Sequence, residues 1–198
     1  MLTKRQQIAK RFFDITFSFI GIIIFFIPIL ILVLMATFST KQFGLFSQQR
    51  VGRNAKLFTM YKIRTMKPHC DDNFITIKDD SRITLIGKFL RAFKLDEFPQ
   101  LYNVFIGDMS FVGPRPDVKG YADELKGDNR VILSIRPGIT GPATLKYRNE
   151  DALLAQQVNS QEYNDKVIWK EKVKINKMYV KNWSFLGDLN YIFKTIFT

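Results

Sequence analysis

Residues Ile15 to Phe38 form an uncharged run of 24 residues, and this run constrains the fold more than any other feature of the chain. A helix rises about 1.5 Å per residue, so a straight helix over this run would be about 36 Å long. That length is enough to cross the roughly 30 Å hydrocarbon core of a bilayer. The run is too long for the apolar part of a typical secretory signal, and no small-residue cleavage site follows it. The sequence therefore predicts a membrane helix.

The charges on both sides of this run bear on its topology. Basic residues precede it and follow it: Lys4, Arg5, Lys10, Arg11, Lys41, Arg50, Arg53, Lys56 and Lys62. Basic flanks favour the cytoplasm, so a straight crossing would leave one of them outside. Pro28 lies near the middle and removes one helical hydrogen bond. These observations favour a re-entrant helix broken at Pro28, while an ordinary spanning helix, in which prolines are tolerated, stays open.

Composition restricts the class of partner. The chain has 198 residues, about one domain, and a net charge of +12, which favours polyanions such as an anionic membrane, phosphorylated substrates or nucleic acid. No nucleic-acid-binding signature accompanies the charge, so we expect no nucleic acid. The single cysteine, Cys70, excludes an internal disulfide. His69 and Cys70 are interpreted as part of a polar turn, because zinc-ligand spacing is absent.

The rest of the chain predicts an α+β fold that is mostly helical, with a small β-hairpin. Turn residues Gly52 and Asn54 precede a loosely alternating stretch from Leu57 to Ile63. Leu85, Phe89 and Phe93 then recur at helical spacing among lysines and arginines, which indicates a basic amphipathic helix lying on anionic headgroups. Near the C-terminus, aromatic residues between 179 and 193 mix with lysines. That pattern fits either an interfacial anchor or a packed core helix.

Asp96 and Glu97 are adjacent carboxylates at a predicted helix start. Asp96 could serve only as the N-cap of the helix that follows Pro99, and the segment alone favours capping. Alternatively, such a pair can hold Mg²⁺ with one carboxylate and attack phosphorus with the other. The turn Gly113-Pro114-Arg115-Pro116 supports the second hypothesis, because its prolines hold an arginine with little loss of entropy.

Other cations could join this site. Lys62 and Arg64 would share one face of a strand, where they could clamp a phosphate or simply face solvent. Arg136 stands at the mouth of a second rigid turn, Arg136-Pro137-Gly138, and Arg148 offers a further guanidinium.

The order of these motifs resembles that of the bacterial sugar transferase family, the monotopic phosphoglycosyl transferases. The similarity covers nearly the whole chain. The motifs that carry it are Lys10-Arg11-Phe12-Phe13-Asp14, Pro28, Gln49-Arg50-Val51-Gly52, Tyr61-Lys62-Ile63-Arg64-Thr65-Met66, Leu95-Asp96-Glu97-Phe98-Pro99-Gln100-Leu101, Asn103-Val104, Gly107-Asp108-Met109-Ser110-Phe111-Val112-Gly113-Pro114-Arg115-Pro116, Arg136-Pro137-Gly138-Ile139-Thr140-Gly141, Tyr147-Arg148-Asn149 and Tyr179-Val180-Lys181-Asn182-Trp183-Ser184.

The resemblance implies a reaction and roles for residues. Such enzymes transfer a sugar phosphate from a UDP-sugar to polyprenyl (undecaprenyl) phosphate and release UMP by a ping-pong mechanism. Asp96 would be the nucleophile that forms a phosphosugar intermediate, and Glu97 would bind Mg²⁺. Six cations fall on the family's basic positions, Arg115 and Arg148 foremost among the expected phosphate ligands: Lys62, Arg64, Arg91, Arg115, Arg136 and Arg148.

The resemblance also implies a location and partners. Residues 1–40 would form the re-entrant membrane hairpin, and residues 41–198 a catalytic domain on the cytoplasmic face of the bacterial inner membrane, in contact with anionic lipids. The chain looks like the minimal form with only the catalytic domain, and a homodimer is a further expected partner state. The product would enter capsule, lipopolysaccharide, exopolysaccharide or protein glycosylation.

The sequence departs from the common family pattern at several positions: Ile27, Ile63, Pro142-Ala143-Thr144, Lys174 and Asn176. None of these removes the acidic pair. They leave a second hypothesis open, a catalytically degenerate membrane protein of the same family with an assembly or regulatory role.

Overall fold

The computed structural model describes residues 2–68 and 80–197. His69 and Cys70, predicted to lie in a polar turn, fall outside the described residues. The fold is mostly helical with short strands, as predicted. The elements are α1 (Lys4–Thr40), β1 (Leu45–Val51), β2 (Leu57–Ile63), α2 (Leu85–Ala92), α3 (Gln100–Ile106), β3 (Ser110–Val112), β4 (Gly138–Thr140), α4 (Pro142–Lys146), α5 (Glu150–Ala155), α6 (Ser160–Tyr163), α7 (Trp169–Lys181) and α8 (Phe185–Phe197).

Helix α1 has 37 residues and contains the whole uncharged run. It begins with a capping box, in which the Thr3 hydroxyl accepts the Gln6 backbone N–H and the Gln6 side chain accepts the Thr3 N–H. It ends at Lys41, whose φ of 56° is left-handed. The helix continues through Pro28, so the predicted break at this residue is absent. Proline costs a helix one hydrogen bond but does not by itself end a helix in an apolar setting.

The predicted hairpin is confirmed. Strands β1 and β2 pair antiparallel from Leu45 opposite Ile63 to Val51 opposite Leu57. The connection turns at Asn54, where φ is 58°, a conformation that asparagine tolerates better than most residues. A second, unpredicted pair joins β3 and β4 in parallel. Both pairs surround the buried side chains of Met60 and Met109, which connect the hairpin to α3.

Helix α2 also forms where the sequence predicts it. The Thr84 hydroxyl caps it by accepting the Gly87 N–H. Gly87 approaches the Thr65 backbone so closely that a Cβ would lie 2.0 Å from the carbonyl oxygen, so only glycine fits there. Leu90 is buried, whereas Leu85 and Phe93 are 85% and 65% exposed. The helix therefore presents an apolar outer face, as its sequence pattern predicts.

Both halves of α1 pack against the rest of the chain. In the first half, Gly21 allows close contact with Leu101 of α3. Near the middle, the rings of Phe25 and Phe98 lie 4.7 Å apart. In the second half, Ala36 is fully buried in a cluster with Ile63 and Leu90. Most other α1 side chains of the uncharged run are large, apolar and at least partly exposed.

A buried polar network fixes the start of α1. The Asp188 carboxylate of α8 accepts hydrogen bonds from Lys10 Nζ at 2.5 Å, Tyr179 Oη at 2.6 Å and Trp183 Nε1 at 2.9 Å. One turn after Lys10, Asp14 accepts from the Ser110 hydroxyl and the Phe111 N–H, both at 3.1 Å. Each buried carboxylate thus has its donors, and together they tie α1 to both α8 and β3.

The C-terminal aromatic region divides between the two alternatives that the sequence left open. Tyr179 and Val180 of α7 belong to the core, together with Val112 and Ile135. Helix α8, by contrast, leaves apolar side chains exposed, and Leu186, Phe197 and Ile196 are the most exposed of them. The core alternative is correct for α7, and α8 keeps the outer face of an interfacial helix.

Candidate active site

The acidic pair lies in a tight turn between α2 and α3. Lys94 adopts a left-handed conformation with φ of 54°, and Leu95–Glu97 form a single 3₁₀ turn. Helix α3 starts only at Gln100, with Pro99 as its N-cap residue and no side-chain cap. The prediction that Asp96 caps this helix is therefore wrong. The turn separates the carboxylate from the helix start, which leaves Asp96 free for another role.

Glu97 is held by two cations. Its Oε1 accepts a hydrogen bond from Lys62 Nζ at 3.2 Å and another from Arg115 Nη2 at 3.1 Å. Burial alone would raise the pKa of Glu97, but the charges of Arg115 and then Lys62 outweigh it and lower this pKa to about 2. Glu97 is thus a carboxylate at any physiological pH. Its other oxygen, Oε2, accepts no hydrogen bond from the residues that the structure describes.

Asp96 differs from its neighbour. None of the described residues donates a hydrogen bond to its carboxylate, although the side chain is partly buried. Burial raises the pKa of Asp96, the positive charge of Lys62 lowers it in part, and the adjacent Glu97 raises it again. A carboxylate without donors and with a raised pKa is more basic, and so more nucleophilic, than one held in ion pairs.

Distant parts of the chain bring the two cations to Glu97. Lys62 stands on β2, 35 residues before Glu97, and its side chain is only 19% exposed. Arg115 comes from the Pro114–Pro116 turn after β3, 18 residues beyond Glu97. The charge of Glu97 in turn raises the pKa of Arg115, while burial lowers that of Lys62. Two cations and two carboxylates therefore meet at one point, where a phosphate could exchange for Glu97 as their partner.

The other four predicted cations have different partners. Arg91 pairs with Asp151 at 3.0 Å and lies near enough to lower the pKa of Asp96 in part. Arg64 does not join Lys62; it donates to the Phe43 carbonyl and stacks on the Phe46 ring. Arg148 and Arg136 also donate to carbonyl groups, Arg148 to those of Lys194 and Thr195 and Arg136 to that of Gly107. The structure therefore brings two of the six to the acidic pair and a third close to it.

A group of charged residues near Arg115 was not predicted from the sequence. Asp117 follows the Pro-Arg-Pro turn, and burial raises its pKa to about 7 although Lys172, Arg50 and Arg115 oppose the rise. Burial, together with the charge of Arg115, lowers the pKa of Arg50 to about 10. The Pro116 carbonyl accepts from Arg50, which supports the turn that carries Arg115. The sequence offered one indication of this group, since Asp117 stands two residues after Arg115. A lone aspartate after a turn is, however, commonly a solvated residue.

Comparison with known proteins defines the class of this chain. The family model for bacterial sugar transferases matches residues 5–198. The chain therefore belongs to the bacterial sugar transferase family, as its motifs predicted.

Individual relatives extend this result. The chain is 37% identical to the galactosyl transferase CpsE of Streptococcus agalactiae and 34% identical to the undecaprenyl-phosphate galactose phosphotransferase of Salmonella typhimurium. These alignments cover 96% and 98% of this chain but 41% of each relative. It is also 32% identical to the uncharacterized sugar transferase EpsL of Bacillus subtilis, over 96% of this chain and 86% of EpsL. The chain thus spans about two fifths of the length of the first two relatives and most of the third.

Proposed function

We propose that this protein transfers a sugar phosphate from a UDP-sugar to polyprenyl phosphate and releases UMP, as the first membrane step of polysaccharide synthesis. The observation that carries the proposal is the asymmetric acidic pair, in which Glu97 is held by Lys62 and Arg115 while Asp96 accepts no hydrogen bond from the described residues. Family membership and the name of the Salmonella relative, a galactose phosphotransferase acting on undecaprenyl phosphate, support the same reaction.

In the first step, an Asp96 carboxylate oxygen attacks the β-phosphorus of the UDP-sugar. A bond forms between that oxygen and phosphorus, and the bond from phosphorus to the bridging oxygen breaks. UMP leaves with the bridging oxygen and its electron pair. Lys62 and Arg115 would neutralise the charge of the pyrophosphate, which otherwise repels an anionic nucleophile.

In the second step, an oxygen of polyprenyl phosphate attacks the phosphorus of the phosphosugar on Asp96. The bond from phosphorus to the aspartyl oxygen breaks, which restores the carboxylate and yields polyprenyl diphosphosugar. No strong base is required, because the attacking group is already an anion at neutral pH. The lipid phosphate must reach Asp96 at the level of the headgroups.

The acidic pair fits a requirement for Mg²⁺. Among the described residues, no group of three or more His, Cys, Asp and Glu side chains is arranged to hold a metal. Mg²⁺ at phosphate sites commonly takes one or two carboxylates and completes its shell with phosphate oxygens and water. Glu97, through Oε2, would hold the ion beside Asp96. Bound there, Mg²⁺ would neutralise the pyrophosphate charge and stabilise the departing UMP.

We propose that α1 lies shallowly in the cytoplasmic leaflet, with both of its ends on the cytoplasmic side. Contacts with the rest of the chain run from Lys10 to Ala36, about 39 Å along a straight helix, which exceeds the thickness of the hydrocarbon core. A helix that crossed the bilayer would carry one of these ends away from a domain on the other side. The exposed apolar faces of α2 and α8 support the same shallow placement. Residues 1–40 and 41–198 would then be a membrane unit and a catalytic unit packed together.

The reaction is tested by incubating the full chain with undecaprenyl phosphate, Mg²⁺ and a panel of UDP-sugars that starts with UDP-galactose. We expect UMP release with at least one sugar and none without Mg²⁺. Absence of UMP release over the whole panel would contradict the proposal and favour the degenerate family member with an assembly or regulatory role. The sugar that gives the fastest release identifies the substrate.

The topology is tested separately in intact cells with Thr3→Cys in a Cys70→Ser background. We expect no labelling by a membrane-impermeant thiol reagent until the cells are opened. The matched control is an engineered cysteine on a known periplasmic protein in the same cells. Labelling of residue 3 in intact cells would contradict the re-entrant placement and favour a spanning helix. A homodimer remains a prediction that cross-linking in the membrane can check.

A further inference from the structure

A second cluster of cations lies at the opposite end of α3 from the acidic pair. Arg11 of α1 donates to the Val104 and Phe105 carbonyls at 2.6 and 2.7 Å. Arg136 donates to the Gly107 carbonyl at 2.6 Å. A Cβ on Gly107 would lie 3.2 Å from Arg11 Nη2 and 3.7 Å from Arg136 Nε, so the two guanidiniums converge on this one residue.

Arg53 completes this cluster, which we call the arginine cluster (Arg11, Arg53 and Arg136). Arg53 Nη2 donates to the Gln7 side chain at 3.2 Å, while its Nε is buried and has no hydrogen-bond partner among the residues that the structure describes. Arg53 and Arg136 line one small cleft with Lys10, Asp14 and Ser110, among other residues. A buried N–H without an acceptor costs about 1–3 kcal/mol, so an anion that reached this group would stabilise it.

The charges of the arginine cluster are not balanced by ion pairs. Within residues 2–68 and 80–197, none of its three guanidiniums forms a salt bridge. Burial, Arg11 and Arg53 all lower the pKa of Arg136, and Asp14 and Asp108 oppose them only in part. Asp14 is already engaged by Ser110 and Phe111, and Lys10 by Asp188. Three neighbouring guanidiniums, one of them with an Nε–H that has no described acceptor, predict a bound anion.

The position of the cluster indicates which anion. Arg11 directly precedes Phe12, which is 72% exposed, and the uncharged run begins at Ile15. At the end of α3, Phe105 stacks on Phe19 of the same run, and Ile106 is 47% exposed. Cations beside outward-facing apolar side chains lie at the depth of lipid headgroups, where the phosphates are.

The size of the cleft limits what can enter. Its volume is about 20 Å³, which holds one water-sized group, such as a single phosphate oxygen. The acidic pair stands before α3 and the arginine cluster at its end, so a phosphate here would lie about 10 Å or more from Asp96, given a 1.5 Å rise over seven residues.

We propose that the arginine cluster binds the phosphate of an anionic membrane phospholipid, with one phosphate oxygen at Arg53 Nε. This lipid is neither the donor nor the acceptor of the reaction. It would lock the start of α1 to the end of α3 at headgroup depth. The inference rests on the membrane placement proposed above and is independent of sugar transfer.

The test measures thermal unfolding of the full chain in neutral detergent, because a ligand of the folded state raises the Tm. Dioleoylphosphatidylglycerol should raise the Tm of the wild type more than dioleoylphosphatidylcholine or inorganic phosphate does. Arg53→Gln should lose most of that rise and Arg53→Lys part of it, since lysine keeps the charge but not the fork of donors. Lys56→Gln is the matched control, because it removes an exposed charge three residues away and should keep the full rise.

Three results would overturn the proposal: equal rises with both lipids, a full phosphatidylglycerol rise in Arg53→Gln, or an equal rise with inorganic phosphate, which would indicate a site for free phosphate. If Arg53→Gln does not fold, native mass spectrometry of the wild type decides, since retention of phosphatidylglycerol no better than phosphatidylcholine also contradicts the site. UMP release measured on the same wild-type samples separates failure of the lipid site from failure of the proposed reaction.

Discussion

Two carboxylate sites in this protein each place cations beside acidic side chains, and they differ in how the hydrogen-bond donors are distributed. At Asp188, a lysine, a tyrosine and a tryptophan all donate to one carboxylate, which is almost completely buried. At the acidic pair, Lys62 and Arg115 also surround carboxylates, but both donate to Glu97 and neither to Asp96. A carboxylate with all its donors stabilises a fold, whereas one left without donors beside cations is available to react.

Removing the nucleophile should have the largest effect on activity. Asp96→Asn replaces a carboxylate that accepts no described hydrogen bond, so the fold should be retained while UMP release falls by about 10³-fold or more. Asp128→Asn is the control, because Asp128 is exposed and pairs with Lys177 and Lys181 at the surface. UMP release and Tm are measured on both variants. Full activity in Asp96→Asn would eliminate Asp96 as the nucleophile.

Removing the charge of the buried Asp188 carboxylate should have the largest effect on the free energy of unfolding. Asp188→Asn leaves the charge of Lys10 buried without its partner, so we expect a loss of about 3–5 kcal/mol in the free energy of unfolding. Chemical denaturation of the full chain in detergent measures it. Lys10→Met combined with Asp188→Asn should recover part of the loss. An Asp188→Asn variant as stable as Asp128→Asn would show that the network does not hold α1.

Lowering the pH should remove the contribution that Glu97 makes to the stability of the fold. The pKa of Glu97 is lowered from 4.5 to about 2, so the folded state favours the carboxylate. Its contribution to stability is fully present above pH 4.5 and is lost as the pH falls toward 2. The advantage of the wild type over Glu97→Gln should shrink by at most about 3 kcal/mol across this window, and by less where solvent screens the half-exposed Arg115. Parallel stability curves for the two proteins would contradict the ion pairs at Glu97.

Asp117 should give a pH dependence of stability that is opposite in sign to that of Glu97 and smaller in size. Burial raises its pKa from 3.8 to about 7, so the folded state favours the neutral acid. The stability that this provides is present below pH 3.8 and is lost as the pH rises through 7. Asp117→Asn should therefore gain on the wild type by about 1 kcal/mol between pH 5 and pH 8, after solvent screening. Thermal unfolding at both pH values measures the change, and an unchanged difference would mean that Asp117 is solvated.

Local patterns in the sequence predicted the elements better than the partners. The uncharged run, the alternation of β2 and the spacing of Leu85, Phe89 and Phe93 each specify a structure within one segment, and those segments formed. Pro28 did not break α1, because a proline removes one hydrogen bond but does not by itself end a helix in an apolar setting. Lys62 and Arg115 reach Glu97 from 35 and 18 residues away, a pairing that depends on tertiary packing.

The arginines show most clearly that a sequence pattern does not identify the partner of a side chain. A guanidinium in a turn predicts an anion or an oxygen acceptor but not which one. Arg136 and Arg148 found carbonyls at the ends of α3 and α8, where unpaired acceptors accumulate and the helix dipole favours a positive charge. The buried role of Asp188 had no local signal, since its three donors come from α1, α7 and the turn before α8.

The covalent intermediate tests the central claim most directly. The full chain is incubated with Mg²⁺ and its UDP-sugar but without polyprenyl phosphate, then digested and analysed by mass spectrometry. We expect one phosphosugar on the peptide that contains Asp96, absent in Asp96→Asn and lost when polyprenyl phosphate is added. UMP release with no adduct, or an adduct on a different residue, would contradict it.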